Sequence, residues 1–229
     1  MEYKRILVIG DIHGEWEKFM SLYEKIHFNS DEDLLIFLGD YVDRGPKPLH
    51  VLDWMYEHRN EKNMIMLRGN HEQMMLDYYK DGDNLWVWNG GDRTRKALER
   101  QKEGVLEKSL SFLESLPLYH HMTYNGKEMF FCHAGIMPDV PLEQQKESDL
   151  LWIREDFYDV YDGDALVVVG HTPVTYLDFP PEPVYFRDRN IIMVDTGSFL
   201  EDGFISCVDV LSGQFVRSDP GKNRRERRF

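Results

Sequence analysis

Five short segments that contain glycine carry aspartate, histidine and asparagine residues that could bind metal ions. They are GDIHG at 10–14, GDYVDRG at 39–45, GNHE at 69–72, HAG at 133–135 and GHT at 170–172. Imidazole and carboxylate suit Mn, Fe, Zn or Ni, and the lack of cysteine in the set disfavours a structural zinc site. The sequence therefore predicts a metal centre assembled from distant parts of the chain. The candidate ligands are Asp11, His13, Asp40, Asn70, His133 and His171.

Such a centre would be a local positive charge within an acidic protein. The net charge of −14 argues against nucleic acid or an anionic membrane as a partner, because both are bound through basic surfaces. Asp11 and Asp40 neutralise only part of the charge of two divalent cations, so a phosphate dianion would be attracted. Two metals ~3.5–4 Å apart can activate water and hold both oxygens of an in-line displacement. The predicted chemistry is therefore hydrolysis of a phosphate ester.

Short apolar runs precede the candidate ligands and are typical of buried strands. Helical stretches at 15–27 and 48–58 lie between the early runs, and this alternation predicts an α/β fold. Ligands of α/β sheets bind at the carboxyl ends of the strands, where these polar residues would lie. Asp195 follows the last run, and its role stays open between the metal layer and a turn. The runs are ILVIG, LLIFLG, MIMLRG, MFFC, LVVVG and IIMV.

The remaining segments predict one domain over residues 1–218. Residues 73–120 are amphipathic and helical, which indicates an insertion beside the site, and the chain from Gly203 onward favours a closing β-hairpin. Residues 219–229 form a basic tail that we expect to be disordered. The length of 229 residues suits a single domain of this kind.

Composition favours a cytoplasmic protein. No apolar run approaches the ~20 residues that a membrane span needs, and the N-terminal residues lead almost directly into the first strand-like run. Cys132 and Cys207 are too few for a disulfide framework. The sequence carries no indication of the oligomeric state.

In this order, the five segments resemble those of the phosphoprotein phosphatase family of calcineurin-like metallophosphoesterases, above all its small bacterial and phage members. The resemblance extends over nearly the whole chain, because WVWNGG, LPLYHHM, LLWIRED and VDTG are also similar to segments of those enzymes. It implies a layered β-sandwich flanked by helices, with two divalent metal ions as cofactors. Mn²⁺ is the expected metal, and Fe, Zn or Ni are the alternatives.

The resemblance also implies a role for each site residue. Asp11 and His13 would hold the first metal, Asp40 would bridge both, and a metal-bridging hydroxide would attack phosphorus directly. His71 would be the general acid, oriented by Asp43. The remaining roles follow the same resemblance: the second metal would be held by Asn70, His133 and His171, and the phosphate oxygens would be bound by Arg44, Arg154 and Asn70.

Two hydrolytic functions and one binding function compete for this sequence. The favoured function is hydrolysis of phosphoserine and phosphothreonine in proteins, with a phosphoprotein as partner. The alternative is hydrolysis of dinucleoside polyphosphates, as by the symmetrical diadenosine tetraphosphatases, which typically lack DRG and carry GNHD. Asp43, Arg44 and Glu72 therefore favour the protein phosphatase. A metal-free binding scaffold would lack candidate ligands, and none is missing.

Three residues close to the motifs have structural interpretations. Glu72 is expected to support the site rather than to carry a proton. Trp86 and Trp88 are more typical of a core than of a substrate platform, although the NGG that follows them could line the cleft.

Overall fold

Ten strands and seven helices form the part of the chain, residues 2–221, that a computed structural model describes. No helix within that range is both long and apolar enough to span a membrane. The strands are β1 Arg5–Ile9, β2 Asp33–Phe37, β3 Met64–Met66, β4 Tyr119–Tyr124, β5 Lys127–Cys132, β6 Leu166–Val169, β7 Val184–Phe186, β8 Ile191–Met193, β9 Ser206–Asp209 and β10 Phe215–Arg217. The helices are α1 Trp16–Ile26, α2 Pro48–His58, α3 Asn70–Asp81, α4 Asp92–Leu98, α5 Val105–Ser115, α6 Glu147–Trp152 and α7 Glu155–Tyr158.

The strands form two five-stranded sheets that pack on each other, with helices on the outer faces. The order is β10-β9-β1-β2-β3 in the first sheet and β4-β5-β6-β8-β7 in the second. This arrangement confirms the predicted α/β layered sandwich, and each of the six apolar runs contributes a strand. The division into one domain and a tail stays a prediction, and residues 222–229 of that tail lie outside the described residues.

Parallel pairing brings the site segments to the same end of each sheet. Strands β1, β2 and β3 are parallel neighbours, and so are β5, β6 and β8. The carboxyl ends of three strands therefore meet at one edge in each sheet. The predicted C-terminal hairpin is confirmed as the antiparallel pair β9 and β10.

Each central strand is apolar on both faces because both faces are covered. In β1, Ile6 and Val8 pack into the core between the sheets, whereas Leu7 and Ile9 face the core under the helices. A third apolar cluster lies between the second sheet and α6 and α7. Such double burial explains why the runs lack the alternation of a half-exposed strand.

The predicted helical insertion at 73–120 differs at both ends from the structure. Helix α3 begins at Asn70, so its first turn carries Asn70 and His71, and β4 already begins at Tyr119. Between α3 and α4, a wide helical turn at Val87–Gly91 is interrupted at Gly90, where φ is +102°. The motif GNHE is thus a helix N-terminus, which apolar periodicity alone does not indicate.

A buried lysine joins α1 to the loop after β8. Lys18 is 5% exposed, and its Nζ donates to the carbonyl oxygens of Ser198 and Gly203 at 2.7 and 2.6 Å. The other buried residues of α1 are apolar. The two hydrogen bonds of Lys18 therefore hold the loop that carries Phe199 against this helix. Hydrogen bonds to a charged donor contribute more than neutral ones when they are buried.

We predict that Lys18→Met lowers the free energy of unfolding by ~2–3 kcal/mol, because two buried carbonyls lose their donor. Urea denaturation measures the change. Lys25→Met on the same helix is the matched control, since Lys25 makes an exposed ion pair with Asp219 and should cost less than ~1 kcal/mol. Equal losses in the two variants would contradict the proposed anchoring role of Lys18.

Candidate active site

All six predicted metal ligands lie together and are buried at the carboxyl ends of the parallel strands. None is more than 6% exposed. They follow β1, β2, β3, β5 and β6, as the apolar runs predicted. Their side chains reach the same point because the two sheets place these strand ends side by side. The structure thus gathers the predicted set: Asp11, His13, Asp40, Asn70, His133 and His171.

Asp40 lies between two groups of possible ligands. Its carboxylate forms one group with His13 and His71 and another with Asp11 and His133, and the ligand atoms of each group lie within 4.8 Å of one another. Asp40 Oδ2 is 3.4 Å from His13 Nε2, and Oδ1 is 3.4 Å from His133 Nε2. A shared carboxylate fits the predicted bridging position. The grouping of Asp11 with His133 differs from the predicted assignment to separate metals.

Two histidines are oriented by backbone carbonyls. His13 Nδ1 lies 3.2 Å from the oxygen of Val42, and His133 Nδ1 lies 2.9 Å from the oxygen of Leu38. An Nδ1–H that donates to a carbonyl leaves the Nε2 lone pair free for a metal. His133 Nε2 and Asn70 Oδ1 are then two acceptors only 2.9 Å apart, which a shared cation would satisfy.

Several polar atoms of this cluster fit a site for cations. Asp11 Oδ2, His171 Nε2 and Asp195 Oδ2 are buried and have no hydrogen-bond partner among residues 2–221. Arg44 Nη1 lies 2.7 Å from His13 Nε2, so a positive group already faces that lone pair. Buried carboxylate oxygens of this kind are costly unless a cation or a donor faces them.

Burial shifts the pKa values of the cluster in the directions expected for groups without a bound cation. Burial raises the pKa of Asp11 well above its usual value, and the carboxyls of Asp195 and Asp40 raise it further. Burial and Glu72 do the same to the pKa of Asp40. Burial lowers the pKa of His133 to about 3, so this imidazole is neutral. The neutral His133 can therefore bind a cation, and a nearby cation would oppose the upward pKa shifts of Asp11 and Asp40.

The loops that present these groups have unusual backbone conformations. His13, Asp40, Asp43, Arg44 and His171 all have φ between +48° and +71°. This left-handed region is disfavoured for residues with a side chain, and such strain persists only where the surroundings enforce it.

Gly69 shows how tightly the same loops approach one another. A Cβ there would lie 2.2 Å from Asp40 Oδ1, so only glycine allows α3 to begin against Asp40.

His71 is held by a buried network that the motif predicted only in part. His71 Nδ1 lies 2.7 Å from Asp43 Oδ2, which confirms the predicted pair as geometry. The indole of Trp86 donates to the same oxygen at 2.8 Å, and the Thr94 hydroxyl donates to Asp43 Oδ1 at 2.6 Å. The Asp43 backbone N–H donates in turn to Thr94 Oγ1 at 3.0 Å. Burial lowers the pKa of His71, and the Asp43 hydrogen bond opposes that shift.

Glu72 has the supporting position that the sequence suggested. Its carboxylate accepts backbone N–H groups of Asp40, Tyr41 and Gly69 at 2.7, 2.8 and 2.9 Å. Desolvation raises its pKa to about 7, although these three bonds favour the charged form. Glu72 thereby ties the loop after β2 to the start of α3.

Above the buried cluster, a cleft of about 80 Å³ contains both predicted phosphate-binding arginines. Arg154 Nη1 donates to Thr172 Oγ1 at 2.7 Å, and the Arg44 guanidinium lies 4.3 Å from the centre of the Phe199 ring. Asn89 of the NGG segment also lines the cleft, as the sequence allowed. Its other lining residues are Asp40, Asn70, His71, Trp152, His171, Pro173, Tyr176 and Phe199.

The sequence did not indicate a role in the site for some residues, and for others it indicated only part of their role. Thr94 lies 51 residues after Asp43 in a helix without a motif, so only the fold shows that they touch. Trp86 was expected in the core, where it is, but its indole also serves the site; Trp88, also expected in the core, is 78% exposed. Asp195 is buried beside Asp11, and its Oδ1 accepts the Gly197 N–H at 2.8 Å, so it is both a turn residue and part of the cluster.

A family model matches most of the chain, over a range that includes all five motifs. The family model described as calcineurin-like phosphoesterase matches residues 4–202. Members of this family use a pair of divalent cations, and the two groups around Asp40 contain candidate ligands in this chain.

Curated relatives share about a third of their residues with this chain. A bis(5'-nucleosyl)-tetraphosphatase PrpE [asymmetrical] from Bacillus cereus (strain B4264) is 30% identical over 219 residues, with 83% of this chain and 85% of the relative covered. A protein of the same name from Anoxybacillus flavithermus is 30% identical, with 83% and 84% covered.

Solved structures show the same fold at lower identity. A protein provisionally assigned as a diadenosine tetraphosphatase has a TM-score of 0.71 at 20% identity, covering 96% of this chain and 94% of that one. A serine/threonine phosphatase from Saccharomyces cerevisiae has a TM-score of 0.65 at 16% identity, covering 96% and 81%.

The relatives contradict the prediction of a serine/threonine protein phosphatase, and with it the expected phosphoprotein partner. That prediction took Asp43, Arg44 and Glu72 as markers of substrate class. In the structure Asp43 contacts His71 and Glu72 accepts backbone N–H groups, and neither lines the cleft, so neither is a marker of substrate class. The predicted alternative, a dinucleoside polyphosphate hydrolase, is the better supported of the two.

We predict that Thr94→Val lowers kcat by about 10-fold while KM changes little, because Asp43 loses the donor that holds it against His71. Thr94→Ser keeps the hydroxyl and should retain most of the activity. Steady-state kinetics on a phosphate ester measure both values. An unchanged kcat, or an equal loss in the serine variant, would contradict a positioning role for Thr94.

We predict that divalent cations stabilise the protein more strongly as pH rises. The raised pKa values of Asp11 and Asp40 mean that the chelated protein holds extra protons when folded, so its stability falls as pH rises above the usual aspartate range. A cation replaces those protons. The Tm difference between Mn²⁺ and chelator should be larger at about pH 8 than at about pH 5.5. A difference that shrinks with rising pH would contradict this assignment.

Proposed function

Because this chain belongs to the calcineurin-like phosphoesterase family, we propose that it is a metal-dependent hydrolase that cleaves dinucleoside tetraphosphates asymmetrically. The observation that carries the proposal is the similarity to asymmetrical bis(5'-nucleosyl)-tetraphosphatases over 83% of this chain. The products would be one nucleoside monophosphate and one nucleoside triphosphate.

The buried cluster would hold two divalent cations, with Mn²⁺ as the metal we expect. Asp40 would contact both, and the remaining ligands would be Asp11, His13, Asn70, His133 and His171. The unpartnered Asp11 Oδ2 and His171 Nε2 and the shared Asp40 carboxylate support this set. Bound cations supply charge neutralisation and activation of water. The preference for imidazole and carboxylate ligands is consistent with Mn²⁺.

Arg44 and Arg154 would bind the phosphate at which cleavage occurs. Both line the cleft, and a guanidinium can donate to two oxygens of one phosphate group. Arg154 is restrained by Thr172 before a substrate enters, whereas Arg44 lies against the Phe199 ring and would leave His13 Nε2 when a cation binds there. Such restraint reduces the entropy lost on binding. The positive charge of the cleft would attract a polyphosphate to a protein whose net charge is negative.

His71 would protonate the oxygen of the leaving nucleotide. In the reaction, water attacks the phosphorus, the bridging P–O bond breaks, and the leaving phosphate receives a proton. His71 lines the cleft, and its Nδ1 is held by Asp43, so Nε2 faces the reacting groups. The Asp43 carboxylate favours the imidazolium that this transfer requires.

Hydrolysis of diadenosine tetraphosphate with Mn²⁺, followed by chromatography of the nucleotides, tests the proposal. We expect equal amounts of AMP and ATP and no ADP. His71→Asn should lower kcat by about 100-fold, the usual size for loss of a general acid. Production of ADP alone would contradict asymmetrical cleavage, and no turnover of diadenosine tetraphosphate would contradict the proposed substrate class.

A further inference from the structure

The cleft above the buried cluster is too small for a nucleoside. Its volume is about 80 Å³, whereas sites that enclose a small organic ligand usually measure about 300–1,000 Å³. It has room for a phosphate but not for a base and a ribose. A nucleotide whose phosphate reaches Arg44 and Arg154 must therefore lay its nucleoside across the rim.

Two aromatic side chains form one part of that rim. Trp152, the last residue of α6, is 39% exposed, and Tyr176 is 61% exposed. Both line the same cleft as Arg44 and Arg154. Exposed rings beside a phosphate site contribute little to the core, so burial does not explain their position.

Both rings are carried by fixed backbone. Tyr176 lies in a short helical turn, Val174–Leu177, whose Val174 is fully buried and donates its N–H to the backbone carbonyl oxygen of Asp195 at 3.0 Å. The Tyr176 N–H donates to the Pro173 oxygen at 2.8 Å. The Trp152 and His171 rings lie nearly perpendicular, with centroids 6.1 Å apart. The rim is therefore anchored to the same loops that hold the buried cluster.

We propose that Tyr176 and Trp152 form a nucleobase-stacking subsite that binds the nucleoside next to the cleaved phosphate. A ligand with several phosphates and a flat aromatic ring fits this arrangement. Its phosphates would meet the two arginines in the cleft, and its ring would lie on the exposed side chains at the rim of the cleft. The inference rests on the proposed function, because it names the part of the chain that would select nucleotides. A stacked base is tolerant of base identity, since every base has an aromatic face.

Calorimetric titration of the Mn²⁺-loaded protein with ATP and with inorganic tripolyphosphate tests the subsite. The two probes share a triphosphate, so the ratio of their Kd values reports the nucleoside. In wild type, ATP should bind at least about 10-fold more tightly than tripolyphosphate. Tyr176→Ala should weaken ATP binding by about 10-fold and leave tripolyphosphate binding unchanged.

Tyr176→Phe is the matched control, because it keeps the ring and should keep the wild-type ratio. Trp152→Ala should act like Tyr176→Ala. Equal affinities for the two probes in wild type, or an unchanged ATP affinity in both alanine variants, would overturn the subsite.

Failure of the proposed function would look different from failure of the subsite. If wild type does not hydrolyse diadenosine tetraphosphate but its preference for ATP disappears in Tyr176→Ala, the substrate assignment is wrong and the subsite stands. If wild type hydrolyses it and both alanine variants keep the wild-type kcat/KM, the subsite is wrong and the proposed function stands.

Discussion

The structure depends on the burial of negative charge at the carboxyl ends of its parallel strands. Five carboxyl groups, those of Asp11, Asp40, Asp43, Glu72 and Asp195, are no more than 2% exposed. Burial of this kind is unfavourable unless each charge meets donors or a cation. Asp43 and Glu72 are satisfied by the protein itself, whereas Asp11 and Asp195 each keep an oxygen without a partner among the described residues. Asp43 and Glu72 therefore support the site, whereas Asp11 is left with an oxygen for a metal and Asp195 lies buried beside it.

The backbone conformation of the fold is what brings these buried carboxyl groups together. Parallel strands deliver His13, Asp40 and His171 to one place, and left-handed conformations at these residues turn their side chains inward. Glu72 then binds the backbone of two different motifs, so the positions of Asp40 and Gly69 are coupled. Strain in the loops is thereby balanced by buried hydrogen bonds, which is typical of functional sites.

The sequence predicted the parts of the structure that local rules determine. Strands buried on both faces, such as LVVVG, are recognisable because their residues are apolar without alternation. The motifs that follow them place Asp11 and His171 just after the ends of their strands. It did not predict contacts that only the fold creates, such as Thr94 with Asp43. The substrate class was misread because Asp43 and Glu72 act within the site, while Tyr176, a rim residue that would distinguish substrates, belongs to no motif.

The central claim is that the Asp40 carboxylate holds two cations together. Elemental analysis of metal-loaded wild type and Asp40→Asn tests it most directly, because the amide keeps an oxygen that can accept the backbone N–H of His71. With circular dichroism unchanged, we expect two Mn²⁺ ions per chain in wild type and fewer than one in the variant. Retention of both ions by the folded variant would contradict the account.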